Sequence, residues 1–292
     1  MSAEPCTNRA GLVLLQEPHV VNCAHDCRGT PAFFMTQRAA TDPESNSQAR
    51  NLAMRPCTSL AEFEECVRIQ QAVWRFDDLE TVPSDVFIIA HKTGGQVIGA
   101  FDGERQVGFT LAFMARQGEE FYLHSHFAAV LPELQGAGVG QQLKLAQRED
   151  ALKRDIHLIE WTFDPLALMN AHFNLNRLGA IIRRYIPNFY GVTSSPLHGN
   201  IPTDRFVAEW WLDSDHTMAR IHGEKRSKPD ELRRITLPRN TTELLRSGSP
   251  EVRDIQGRIR AEFMESFAEG YVADGVEFQD SQASYLLSRN SG

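Results

Sequence analysis

The chain has 292 residues, 42% apolar and 23% charged, with a formal charge of −8 and a pI near 5.7. That suits one large domain, or a domain with an appendage, and the acidic balance argues against nucleic acid, whose phosphates draw on clustered Lys and Arg. No apolar run approaches the roughly 18 residues of a membrane span, and Ala10 to Leu15 is too short for a signal-peptide core.

Residues 1–50 mix Pro, Ser, Thr, Asn and Gln with little periodicity and read as a mobile tail. Five cysteines, at 6, 23, 27, 57 and 66, form an odd set without a disulfide rhythm, which favours free thiols and a cytoplasmic location. Cys23-Ala-His25-Asp-Cys27 lacks the second ligand pair of a structural zinc site, so no metal is expected.

Order is expected over 51–212. Leu52 to Cys57 suits an edge strand, and Ser59 with Glu62 forms a capping box ahead of a helix carrying Leu60, Phe63, Val67, Gln71 and Trp74. Pro83-Ser84-Asp85 opens a short element through Phe87, Ile88 and Ile89 that fits helix or strand. Gln96 to Phe101 and Gln106 to Met114, around Asp102-Gly103, read as an antiparallel hairpin. Phe121 to Leu131 reads as a strand that Pro132 ends, and Val139, Leu143, Ala146 and Leu152 mark an amphipathic helix. His157 to Phe163 is a compact strand, followed by a helix from Leu168 to Leu178 that Gly179 ends. Ile181 to Ile186 and Asp204 to Leu212 complete a mixed sheet with helices on both faces. Residues 213–235, strongly charged from His216 to Arg234, read as a linker. In 236–292, Pro250 starts a helix striped by Val252, Ile255, Ile259, Phe263 and Phe267, and Tyr271 to Leu287 gives two short strands around Ser281. This segment is expected to dock on the main domain.

Between the strand at 121–131 and the next helix lies Gln135-Gly-Ala-Gly-Val-Gly140. Glycines at alternate positions allow close backbone approach, and the helix start offers free N–H groups and a positive dipole end, a fit for phosphate oxygens. The alternative is a turn that only reverses direction. A Walker loop fails because Gln141 and Gln142 follow Gly140 where Lys and Ser or Thr are needed. A dinucleotide fingerprint from Gly136 meets a bulky Gln141, although Glu160 on the next strand keeps it open.

This stretch resembles the GNAT superfamily of acyl-CoA-dependent N-acyltransferases. Their signature of Gln or Arg, two residues, Gly, one residue, then Gly or Ala is matched by Gln135, Gly138 and Gly140, and its lead-in by Val130 and Pro132. The resemblance covers Leu52 to Leu212. It implies an α/β (α+β) fold with a twisted, mostly antiparallel mixed sheet flanked by helices, here carrying a small C-terminal α/β appendage. It also implies transfer of an acetyl or short acyl group from acyl-CoA to a small-molecule amine, an amino acid being one candidate, by direct attack on the thioester. Ala128, Ala129 and Val130 would end a strand at a bulge, splayed from the strand at Trp161, and pair with pantetheine. Gln135, Gly136, Ala137, Gly138, Val139, Gly140 and Gln141 would hold the pyrophosphate, and Asn170 the pantetheine arm unless it only starts its helix. A homodimer is the assembly considered.

His124 corresponds by position to a Glu that serves as base in several family members. Two residues apart on a strand, His124 and His126 should share a face, and either fits a base for an α-amino acceptor or a buried, satisfied histidine. Counting back from Gly179 gives Leu175 where the family often has an acidic Tyr. Tyr185 and Tyr190 are substitutes unless they only pack. Arg184, or its neighbour Arg183, could clamp a substrate carboxylate or sit solvated, since adjacent strand positions face opposite sides. Lys144 and Arg148 could meet the coenzyme's 3′-phosphate. Two further readings stay open: a non-catalytic acyl-CoA-binding or regulatory protein, and a dinucleotide-binding enzyme.

Overall fold

The computed structural model describes residues 52–74, 81–191, 201–224 and 231–289. The expected tail, with Cys6, Cys23, His25 and Cys27, lies outside the described residues. One sheet of ten strands runs β1-β2-β3-β4-β5-β7-β6-β9-β10-β8. These are Ala53–Pro56, Gln96–Asp102, Arg105–Gln117, Glu120–Val130, Leu158–Phe163, Ile181–Ile186, Arg205–Trp211, Leu232–Pro238, Tyr271–Phe278 and Gln282–Arg289, numbered β1 to β10 in chain order. Neighbouring strands are antiparallel except for β4 and β5, which are parallel.

Local chemistry accounts for the first elements. The Glu62 carboxylate accepts from the Thr58 and Ser59 N–H groups at 2.8 and 3.0 Å, starting α1 (Leu60–Trp74) as a capping box should. The segment through Phe87, Ile88 and Ile89 is a helix, α2 (Ser84–Lys92), with Asp85 in its first turn and His91 and Lys92 in its last, both suited to the dipole. The β2–β3 hairpin turns at Gly103, where φ is 61°.

After β5 the chain forms one α-helical turn, α4 (Leu168–Ala171), and then a wider π turn over His172–Arg177, so the expected single helix is underwound over its second half. The charged stretch at 213–235 is not all irregular: Ser214 caps α5 (Asp215–Ile221), its Oγ accepting from the Thr217 N–H at 3.2 Å. A helix this short with few buried side chains has no apolar stripe to betray it.

Beyond β8 come α6 (Thr241–Arg246) and α7 (Glu251–Ala268). The C-terminal strands lengthen the same sheet, with β9 meeting β6 at Ala273 and Ile182. The stripe on α7 closes over them: Phe263 is buried, its ring 4.7 Å from Phe206 and 5.2 Å from Tyr285. A buried phenylalanine in that position is worth about 3–5 kcal/mol against alanine.

Candidate active site

The site begins where two strands part. β4 pairs with β3 along its whole length, from Glu120 opposite Gln117 to Val130 opposite Gly108. On its other side it pairs with β5 only at Leu123 with Ile159 and His124 with Glu160. From Ser125 on β4 and Trp161 on β5 the edges diverge, leaving a wedge lined by backbone groups without a strand partner. The bulge that bends β4 away lies at His126, because Ser125 faces Ala112 while Phe127 faces Leu111. The bulge is therefore there and not at Ala128 to Val130 as expected. Those three residues pair regularly with β3 and form the wedge's β4 edge, where small side chains leave backbone reachable.

After the turn of 3-10 helix at Pro132–Leu134, the glycine corner feeds α3 (Val139–Lys153). Gly136 and Gly138 have φ of 83° and 82°, left-handed values that residues with a side chain resist. Gly140 is helical, and a Cβ there would meet nothing within 4 Å. Among the described residues, the N–H groups of Gly136, Gly138, Val139 and Gly140 have no backbone acceptor, and they stand at the positive end of α3. Gln135 braces the corner, its Nε2 donating to the Val130 carbonyl at 2.9 Å.

One face of the sheet beside the wedge carries a polar row. His124, Glu160 and Glu209 are successive partners across β4, β5 and β7, so their side chains emerge together. Glu160 and Glu209 are buried, and Arg184 is bonded to Glu160 and lies 3.4 Å from Glu209. Burial raises the Glu160 carboxyl, and Arg184 opposes that rise. The Tyr190 hydroxyl lies 3.1 Å from Thr162 Oγ1. Burial, aided by the Lys144 charge, lowers His124 below its usual range. His126 falls to about 4, with burial as the main cause.

Residues 60–178 match the model of the Acetyltransferase (GNAT) family. The chain carries a GNAT acetyltransferase domain. Solved structures similar to it include the ribosomal-protein-S18-alanine N-acetyltransferase of Escherichia coli, at 13% identity over 56% of this chain and 95% of that one, TM-score 0.43. Salmonella typhimurium yncA with its cofactor acetyl-CoA shares 18% identity over 62% and 98%, TM-score 0.45. Arabidopsis thaliana NAA60 in complex with acetyl-CoA shares 12% over 55% and 99%, TM-score 0.45. No curated protein matches the chain.

Within the GNAT domain several expected roles change. The bulge breaks the alternation that paired the two histidines, so the adjacent rings of His126 and Phe127 lie 4.1 Å apart instead of on opposite faces. With Phe113 at 5.6 Å as well, His126 packs among aromatic rings. Tyr185 is not at the wedge: its hydroxyl donates to Asp204 at 2.5 Å, and its ring packs on Phe206 and Phe263. Burial and then Asp204 push that phenol well above its ordinary range, which disqualifies it as an acid for this site. A second bulge, at Arg183 on β6, brings both Arg183 and Arg184 to Glu209, at 3.8 and 3.4 Å. Arg184 is thus tied to two carboxylates rather than free to clamp one from a substrate. Nor do the helix cations reach outward. Lys144 is 1% exposed and Arg148 donates to the Leu212 carbonyl at 2.6 Å.

The GNAT domain's residues fit a bound acyl-CoA at orphaned polar atoms. Among the described residues, Trp161 Nε1, Gln147 Nε2 and both amide atoms of Asn174 are buried without hydrogen-bond partners. Trp161 borders the wedge. Asn174 lies one turn beyond the expected Asn170, itself buried in α4, and the sequence did not single it out because the π turn that holds it leaves no periodic signal.

Proposed function

We propose that this chain transfers an acetyl or other short acyl group from acyl-CoA to the amine of a small molecule, an amino acid being one candidate, by direct attack on the thioester. The wedge carries the reading: parallel strands bonded at two positions and then parted offer an extended arm a backbone edge on each side. The corner from Gln135 to Gln141 supplies unpaired amides for two phosphates, so binding there draws on backbone donors more than on side-chain charge. Ala128 to Val130 would take the arm on the β4 side, with Asn170 of α4 and Asn174 of the π turn as the side chains proposed to bond it.

His124 takes the amine's proton, directly or through water. Its lowered proton affinity keeps it neutral, and so able to accept, at neutral pH. A base of that strength suits an α-amino acceptor near 8 better than a lysine near 10.4. The buried carboxylates of Glu160 and Glu209 favour an acceptor that arrives as an ammonium.

Free-thiol release from acetyl-, propionyl- and succinyl-CoA with pooled amino acids and small amines tests the reading. Release with at least one donor, dependent on an acceptor, is expected; no release with any donor refutes it.

A further inference from the structure

The wedge has a floor, and the floor is short of acceptors. Ser125 on β4 and Trp161 on β5 are the first residues past the last paired positions, and Lys144 of α3 spans them. Its Nζ lies 2.8 Å from Ser125 Oγ, 3.0 Å from Gln147 Oε1 and 4.1 Å from the centre of the Trp161 ring. All four side chains are buried, with exposures of 5, 1, 0 and 3% for Ser125, Lys144, Gln147 and Trp161. Among the described residues Lys144 has no carboxylate partner, and two further donors of the cluster, Gln147 Nε2 and Trp161 Nε1, have no acceptor. Buried cations are ordinarily paired, and buried donors ordinarily satisfied. What this cluster lacks is a group bearing negative charge.

We propose that Ser125 and Lys144 form the proton-delivery pair for the leaving sulfur of the coenzyme, with Ser125 donating to that sulfur and Lys144 standing behind it as the proton source. The proposal rests on the acyl-transfer reading and deepens it, since Leu175 stands where the family has its phenol, Tyr185 points away from the wedge, and the Tyr190 hydroxyl is engaged with Thr162 Oγ1 at 3.1 Å. The amine nitrogen bonds to the acyl carbon, the carbon–sulfur bond breaks and its electron pair stays on sulfur. Sulfur takes the Ser125 hydroxyl proton and Ser125 takes one from Lys144. Lys144 recovers from water the proton that the amine released through His124. Burial holds Lys144 down to about 7, so it can both give and regain a proton near neutrality. Of the titratable groups around it, His124 on β4 feels its charge, Glu160 on β5 shares the opposite face with Arg184, and on α3 Arg148 turns to Leu212 while Asp150 binds Arg154.

Lys144→Met and Ser125→Ala in the full chain test it. Ser125 and Gln147 keep their own 3.3 Å bond without the lysine, so Lys144→Met should fold with a Tm at or above that of the parent. Each variant should lower kcat about 100-fold with the acetyl-CoA KM changed less than about twofold, and the double variant should be no slower than either single one. Lys144→Met should also lose the alkaline fall of kcat that deprotonation of the lysine produces. A folded Lys144→Met with parental kcat and alkaline limb overturns the proposal while leaving acyl transfer intact. If Lys144→Met does not fold, parental kcat in Ser125→Ala overturns it and the expected loss supports it. A parent that binds acyl-CoA yet releases no thiol removes the acyl-transfer reading itself.

Discussion

Gly140→Asp should stabilise the fold and weaken coenzyme binding in the same molecule. The added Cβ enters open space, so no neighbour has to move. Replacing a helical glycine gains about 0.3 kcal/mol, and a carboxylate in the first turn of α3 gains roughly 0.3–1 kcal/mol against the dipole. Together these should raise Tm by about 1–4 °C. The same carboxylate would stand at roughly 5 Å from a diphosphate resting on the Gly136 to Gly140 amides. Its repulsion with each of the two phosphate charges at that distance is about 0.8 kcal/mol even at the dielectric of water, about 1.7 kcal/mol for the pair, and more where water is excluded. Affinity for coenzyme A should therefore fall at least about 15-fold. Isothermal titration with coenzyme A reads the loss and a thermal melt without ligand reads the gain. Gly140→Ala, which the Gly-or-Ala signature accepts, should bind within about twofold of the parent. Parental affinity in a well-folded Gly140→Asp would refute a diphosphate at this corner.

His124→Ala should lower kcat about 100-fold or more, and since its folded proton affinity is lowered, the acid limb of kcat/KM in the parent should lie below 6.5, read from a pH-rate profile. His126 is uncharged in the fold down to about 4 but protonates near 6.5 when unfolded, so it adds stability at neutral pH that is lost as pH falls through that window. Urea titrations at pH 7 and 4.5 should show about 2 kcal/mol less acid destabilisation in His126→Phe than in the parent, with activity at pH 7 retained. Tyr185→Phe should keep parental kcat and cost about 1 kcal/mol by denaturation, because Arg260 still holds Asp204 at 2.8 and 2.9 Å.

The parts of the fold that follow from local chemistry could be read in the sequence. The Ser59–Glu62 capping box, the Asp102-Gly103 reversal, the glycine corner and the stripe on α7 each depend on residues a few positions apart, and each stands where the pattern puts it. Features set by strand pairing were not legible. The two bulges, at His126 and Arg183, depend on register with partner strands, and each redirects a side chain the site depends on. Lys144, a candidate for the coenzyme's 3′-phosphate, lies inward instead because Ser125, Gln147 and Trp161 form a polar pocket for its head. Tyr185 had the right hydroxyl, but β6 pairing points it at Phe206 and α7 instead of the wedge.

The most direct test is a crystal structure of the protein with acetyl-CoA bound. The account predicts the pantetheine arm between the edges of Ser125 to Val130 and Trp161 to Phe163, with the diphosphate on the amides of Gly136 to Gly140. A coenzyme bound elsewhere, with β4 and β5 closed against each other past His124 and Glu160, would contradict it.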